Sequence, residues 1–207
     1  NVHFLTSSLH YGTAIFEGIR SYSTPRGPAV FRLKDHIKRL FRSAKVLGFR
    51  ELPYSEETII NASLELIRMN EFDECYIRPL IYVKGGGWKL VVDNVDVEIG
   101  IAVWQWDNYL GEDALNHGIR ANVSSHARLH PNITMTKAKI AGNYVNSVLA
   151  KTESVRAGFD EAIMLDPSGS VAEGTGENIF VVEENIIQTP PSEMILVGLT
   201  RDSIITL

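Results

Sequence analysis

The sequence predicts an α+β chain of mixed α/β character, broken into two parts near its middle. Strand-like and helix-like segments mix without the strict alternation of a doubly wound sheet. Val95, Val97, Ile99, Ile101 and Val103 recur at every second position of Val95 to Trp104, the period of a half-buried strand. That alternation ends just before Asn108 to Asp113, the best linker segment in the chain. A length of 207 residues suits one large domain or two small ones, at roughly 150 residues per domain.

Each element has its own signal. Ala29 to Arg32 is a short apolar run and predicts a strand. Asp35 to Leu47 predicts a helix, because Ile37, Leu40, Phe41, Ala44 and Leu47 recur at steps of three and four and Gly48 follows as a cap. Glu56 to Met69 predicts a second helix, with Ser55 as N-cap and Ile59, Ile60, Leu64 and Ile67 on one side. Cys75 to Val83 predicts a strand, and Pro79 inside it points to an edge position or a bulge. Further on, Ile119 to Ser125 predicts a strand and Gly142 to Gly158 a helix with Tyr144, Val148, Leu149 and Val155 inward. Ala162 to Leu165 reads as a strand, Asp166 to Gly169 as a turn, and Ile179 to Gln188 as a hairpin turning at Glu184-Asn185. Thr200 is placed to cap a last helix.

Composition narrows the function. A net formal charge of −5 argues against nucleic acid as the main partner, since phosphate binding wants a basic face. Cys75 is the single cysteine, which excludes internal disulfides and a cysteine-based zinc cage. No apolar run approaches the roughly 20 residues of a membrane span, and no signal-peptide pattern is visible. A reducing, cytoplasmic compartment is expected. The chain opens on Asn1 and closes on two turns of an uncapped helix, so a piece of a longer protein is expected.

Several segments hold chemistry beside a plainer reading. His126 and His130 are four apart, but Arg128 and Pro131 argue against a helical metal pair, and no metal site is expected. Ser124-Ser125 and Gly85-Gly86-Gly87 match no nucleophile or phosphate loop and read as plain loops. Lys139 precedes a predicted helix and is a residue able to form a Schiff base. A solvated surface charge is the plainer reading, and periodicity does not separate Lys139 from Lys137. In Glu173 to Asn178 two glycines frame a polar turn where backbone can approach a planar or anionic ligand, or simply turn. Gly198-Leu199-Thr200 heads a helix whose N-terminus suits an anion, although most such caps bind only their own backbone.

Six separated motifs stand in one order: HYGTAIFEGIR at His10 to Arg20, DHIKRL at Asp35 to Leu40, YIRPL at Tyr76 to Leu80, KIAGNY at Lys139 to Tyr144, AEGTGENIF at Ala172 to Phe180 and GLTRD at Gly198 to Asp202. Together they resemble the branched-chain-amino-acid aminotransferases, the fold type IV pyridoxal-phosphate enzymes, over essentially the whole chain. The resemblance implies two domains: residues 1–109 as most of a small N-terminal domain, 110–114 as linker, and 115–207 as the first part of a large cofactor-binding domain. It implies a further stretch of chain beyond Leu207 and somewhat before Asn1.

The resemblance also implies roles. Lys139 would bind pyridoxal 5′-phosphate and shuttle the substrate proton. Glu173 would face the pyridine nitrogen, Tyr144 the phenolic oxygen and Arg39 the phosphate, with Leu199 and Thr200 adding a backbone N–H and a hydroxyl. Leu196 and Gly176 would sandwich the ring. Phe16, Gly18, Trp106 and Tyr109 would line an aliphatic pocket, and Tyr76 with Arg78 would admit the distal carboxylate of glutamate. Tyr11 would reach a neighbouring subunit, implying a homodimer or higher homo-oligomer. The implied reaction moves the amino group of Leu, Ile or Val to 2-oxoglutarate. Two alternatives stay open. One is D-amino-acid transamination or aminodeoxychorismate lyase chemistry on the same fold, against which HYGTAIFEGIR and YIRPL speak. The other is a catalytically incomplete piece that only packs or dimerises. Lys84 to Asn94 departs from the family by lacking its loop prolines, which bears on substrate range.

Overall fold

A computed structural model describes residues 2–85, 90–106 and 113–207. The chain divides into two compact units. The first comprises residues 1–106 and 138–142, and the second 107–137 and 143–207. The expected linker falls mostly outside the described residues, as does part of the Lys84 to Asn94 loop.

The first unit opens on a short helix α1 (Ser7–Tyr11) and is built around a five-stranded antiparallel sheet. Its strands are β1 (Ala14–Phe16), β2 (Ile19–Tyr22), β3 (Ala29–Val30), β4 (Cys75–Val83) and β5 (Val97–Trp104). Two helices, α2 (Leu33–Leu47) and α3 (Glu56–Met69), supply the rest of the core. β4 alternates buried and half-buried residues along its length, so Cys75, Ile77, Ile81 and Val83 pack with Ile37, Leu40 and Ala44 of α2 and with Ile59 and Ile67 of α3. Ser55 caps α3 as expected, its Oγ accepting the Thr58 N–H at 3.1 Å. Leu64 departs from expectation: it is exposed, and Ser63 takes the inward position, its hydroxyl donating to the Ile59 carbonyl.

Pro79 is not on an edge. β4 is the central strand, with β5 on one side and both β1 and β2 on the other. The proline is tolerated because β1 pairs with residues 80–82 and β2 with residues 75–77, leaving a gap opposite Pro79. Its carbonyl accepts the Glu17 N–H on that side, where the missing proline N–H would also have pointed.

The second unit holds α4 (Asp113–His117), a β6 (Ala121–Val123), α5 (Tyr144–Arg156), β7 (Glu161–Leu165) crossover, β8 (Val171–Gly174), the hairpin β9 (Val181–Glu183) and β10 (Ile186–Gln188), and α6 (Leu199–Thr206). β6 and β7 run parallel, and β7 and β8 antiparallel. The hairpin turns through Glu184 and Asn185, both at positive φ, as a two-residue hairpin loop requires. The expected inner face of α5 is overturned. Ser147, Ala150 and Ser154 are buried, while Val148, Leu149 and Val155 are exposed. Small side chains let the helix sit close to β7, where Ala150 packs with Ala162 and Met164, and counting apolar residues alone misses that stripe. Thr200 is not the cap of α6 either: Gly198 is, and Thr200 lies exposed in the first turn. No helix among the described residues is long and apolar enough to cross a membrane.

Candidate functional site

In the first unit, α2 carries a polar stripe of His36, Arg39 and Ser43 beside its apolar one, all three buried. Steps of three and four put them on one helix face. Glu17, fully buried just after β1, meets that stripe. Arg39 donates Nε to Oε1 at 2.6 Å and Nη2 to Oε2 at 2.8 Å, and His36 Nδ1 lies 2.8 Å from Oε2. Burial pushes the Glu17 carboxyl up, but the hydrogen bonds from Arg39 and His36 more than offset it and hold it below the ordinary carboxylate range. An ionised carboxylate only accepts, so His36 Nδ1 carries the proton toward it.

The same helix face holds the segment around Lys139. Ser43 Oγ accepts the Lys139 main-chain N–H at 3.0 Å, and the Lys139 carbonyl accepts the Phe16 N–H at 3.2 Å. Lys139 is half-buried, with Nζ 4.9 Å from the centre of the Phe16 ring, and its charge adds to the lowering of Glu17. Lys137 is exposed, so the fold separates two lysines that the sequence pattern leaves equivalent.

The outer face of β4 presents Tyr76 and Arg78. Arg78 lies 4.6 Å over the Phe16 ring, donates Nη2 to Tyr76 Oη at 2.8 Å, and has its Nε buried without a hydrogen-bond partner among the described residues. Tyr76 in turn packs against Trp104 and Trp106 at ring separations of 4.9 and 4.5 Å. Gly18 is required by this arrangement, since a Cβ there would stand 2.1 Å from Tyr76 Oη.

In the second unit, Glu173 is buried on β8. Arg128 Nε donates to its Oε1, while Asn178 Nδ2 and the Leu196 N–H reach Oε2 at 3.2 and 3.3 Å. Asn178 also accepts the Gly198 N–H at 3.1 Å, tying the start of α6 to the same carboxylate. A Cβ at Gly198 would fall 2.2 Å from Asn178 Oδ1, so a side chain at this cap would displace the Asn178 amide. Gly176 is different: a Cβ there would meet none of the described residues within 4 Å. Tyr144 opens α5 and is half-buried. Among the described residues, no cluster of three or more His, Cys, Asp or Glu could hold a metal ion.

The class IV aminotransferase family matches residues 14–207, nearly the whole chain. The chain belongs to the class IV aminotransferases. It is 46% identical over 205 residues to the branched-chain-amino-acid aminotransferase of Pseudomonas aeruginosa, covering 99% of this chain and 66% of that one. A crystal structure of the Escherichia coli branched-chain amino acid aminotransferase superposes with a TM-score of 0.96 at 42% identity, covering 100% of this chain and 68% of that one. The PLP-form of the Thermobaculum terrenum branched-chain amino acid aminotransferase gives a TM-score of 0.89 at 33% identity, covering 100% and 67%. The chain thus spans about two thirds of the length of these relatives.

On this class IV aminotransferase chain, the first unit groups Phe16, Gly18, Arg39, Tyr76, Arg78, Trp106 and Lys139. The second groups Tyr144, Glu173, Gly176, Leu196, Leu199 and Thr200. Tyr11 ends α1 and is exposed, and Tyr109 lies outside the described residues. Sequence reasoning missed Glu17, His36, Ser43, Trp104, Arg128 and Asn178, which hold the named residues in place. One signal was available: Glu17 is a carboxylate inside the apolar AIFEGI run, and His36 and Arg39 stand three apart on the next helix.

Proposed function

We propose that this protein is a pyridoxal-phosphate-dependent transaminase of branched-chain L-amino acids, with 2-oxoglutarate as amino acceptor. The observation that carries the reading is Lys139, half-buried, with its main chain clamped by Ser43 and Phe16 beside the buried Glu17–Arg39 pair. The residues present fit the cofactor. Gly176 has no positive φ and, among the described residues, no neighbour that forbids a side chain, so none of them demands glycine there. A flat ring lying on that backbone would demand it.

Pyridoxal phosphate, when bound, supplies an aldehyde for amines and an electron-withdrawing ring. Lys139 would hold it and then carry a proton to and from the substrate α-carbon. Glu173 would keep a proton on the ring nitrogen, with Arg128 and Asn178 fixing its carboxylate. Arg39 would meet the phosphate with Glu17 fixing its guanidinium, a planar fork suited to bidentate contacts. Tyr144 would donate to the phenolic oxygen, Leu199 and Thr200 would serve the phosphate, and Leu196 and Gly176 would flank the ring.

Phe16, Gly18 and Trp106 would surround the aliphatic side chain, a role proposed for Tyr109 as well. A pocket of this kind separates substrates by roughly 1–3 kcal/mol per methylene, so Leu, Ile and Val all enter. Arg78, with an Nε unpartnered among the described residues and a phenol on Nη2, would take the glutamate carboxylate. Gly18→Ala should push the Tyr76 phenol off Arg78 and raise the 2-oxoglutarate KM about tenfold, the worth of one charge-assisted hydrogen bond, with a smaller effect on leucine. Equal changes for both substrates would count against the carboxylate role. Tyr11 would reach a second subunit of a homodimer. The compartment proposed is the cytoplasm, where a buried thiol such as Cys75 stays reduced.

Reductive trapping tests the whole reading. The chain is incubated with pyridoxal phosphate, reduced with borohydride, and mapped by peptide mass. Modification at Lys139 alone is expected. No adduct, or adducts scattered over surface lysines such as Lys137, would overturn it.

A further inference from the structure

The second unit holds a pair of carboxyl groups that the proposed chemistry does not use. Glu161, buried on β7, accepts from Lys151 Nζ at 2.5 Å, from Thr175 Oγ1 at 2.7 Å and from the Ala162 N–H at 2.7 Å. The Glu177 carboxyl is held on the same turn, since Thr175 bonds Glu161 and the next residue, Gly176, bonds Glu177, and the charge of Glu161 acts on Glu177. Two ionised carboxylates gathered on one turn repel, and one shared proton removes the repulsion.

The pair sits on the turn that follows Glu173. Glu177 Oε2 accepts the Gly176 N–H at 2.5 Å, and the Glu177 carbonyl accepts the Gly174 N–H at 2.8 Å. The Glu177 side chain also covers Gly174, where a Cβ would meet its Cγ at 3.2 Å. Thr175 bonds Glu161 from the same turn. Every residue from Gly174 to Glu177 is therefore tied to one or other member of the pair.

We infer that Glu177 is a positioning residue for this turn: it donates a shared proton to Glu161 and so holds the Gly174–Gly176 backbone in the shape that receives the cofactor ring. The inference rests on the reading that Gly176 and Glu173 face that ring. The charged groups facing Glu177 are Glu161 from β7 and Lys151 from α5. Burial first, and the Glu161 charge second, push the Glu177 carboxyl up to about 7. Glu161 is held low: burial pushes it up, but Lys151, the Ala162 N–H, Thr175 and the Glu177 proton outweigh that.

A carboxyl whose folded pKa lies above its unfolded value stabilises the folded state at low pH, and that contribution is lost as pH rises through the folded pKa. With a folded pKa of about 7, the folding equilibrium falls about tenfold between about pH 6 and 8.5 from this group alone. Glu177→Gln keeps an N–H donor toward Glu161 at every pH and should abolish that component.

The test uses the full chain, cofactor-free and loaded with pyridoxal phosphate, as wild type, E177Q and E161Q. Thermal unfolding of the cofactor-free protein and the rate of cofactor release are followed by pH. Relative to E177Q, wild type should lose stability and release pyridoxal phosphate faster as pH passes about 7. E161Q removes the neighbouring charge and should move the step down by about one pH unit or more. Parallel profiles for wild type and E177Q overturn the inference. If E177Q does not fold, an unmoved step in E161Q overturns it just as well. Borohydride trapping on the same samples separates the two ideas. Trapping at Lys139 without the pH step removes only the role of Glu177, whereas the step without trapping removes the cofactor reading on which that role rests.

Discussion

Replacing Lys139 with alanine is expected to lower kcat for leucine–2-oxoglutarate transamination by about ten-thousand-fold or more, since one side chain serves as both nucleophile and proton carrier. Thermal stability should change by less than about 1 kcal/mol, because the side chain is only half-buried and the tethers to Ser43 and Phe16 run through the main chain. Lys139→Arg should be as inactive as the alanine variant despite keeping the charge, because a guanidinium does not form an imine. Steady-state kinetics beside a melting curve makes the comparison. Activity surviving in Lys139→Ala, or lost instead in Lys137→Ala, would remove Lys139 from the mechanism.

Glu17→Gln is expected to be the most damaging conservative change in the first unit. It leaves the buried Arg39 guanidinium without the carboxylate that takes its Nε and Nη2. Breaking a buried pair from one side costs about 3–5 kcal/mol, or a drop in Tm of about 10 °C for a chain of this size. Acid unfolding gives an independent check. A carboxyl held below its ordinary range stabilises the fold at neutral pH and loses that contribution as pH falls through its folded pKa. Wild type should therefore lose stability more steeply than Glu17→Gln on the acid side. Superimposable acid limbs would show that the pair contributes nothing to folding.

These two residues show how differently a site can be written in a sequence. Lys139 is legible only through its motif and the five others that stand in order around it, because residue pattern alone leaves it equivalent to Lys137 and reads it as a surface charge. Glu17 lay in one of those motifs and went unread. Its meaning comes from His36 and Arg39, which follow about twenty residues later on another element. Arg128 and Asn178 were missed for the same reason, since each acquires a role only through contact with Glu173.

The elements followed a similar division. Helices α2 and α3, the hairpin β9–β10 and the strand β5 were legible from apolar period, capping residues and turn chemistry, all of which act within a few neighbours. The inner face of α5 was not, because burial there went to Ser147, Ala150 and Ser154, which fit closely against β7. Pro79 misled for a related reason. A proline forbids one hydrogen bond, and whether that bond was needed depends on two other strands that leave a gap opposite it. The sequence by itself determined the class of fold, most element boundaries and the six ordered motifs that carry the family resemblance. Only the tertiary structure decided which side chains are tied together: Glu17 to Arg39 and His36, Glu173 to Arg128 and Asn178, Glu177 to Glu161. Local propensity is set by adjacent residues along the chain, whereas charge pairing, desolvation and close packing are set by residues that meet only after it folds.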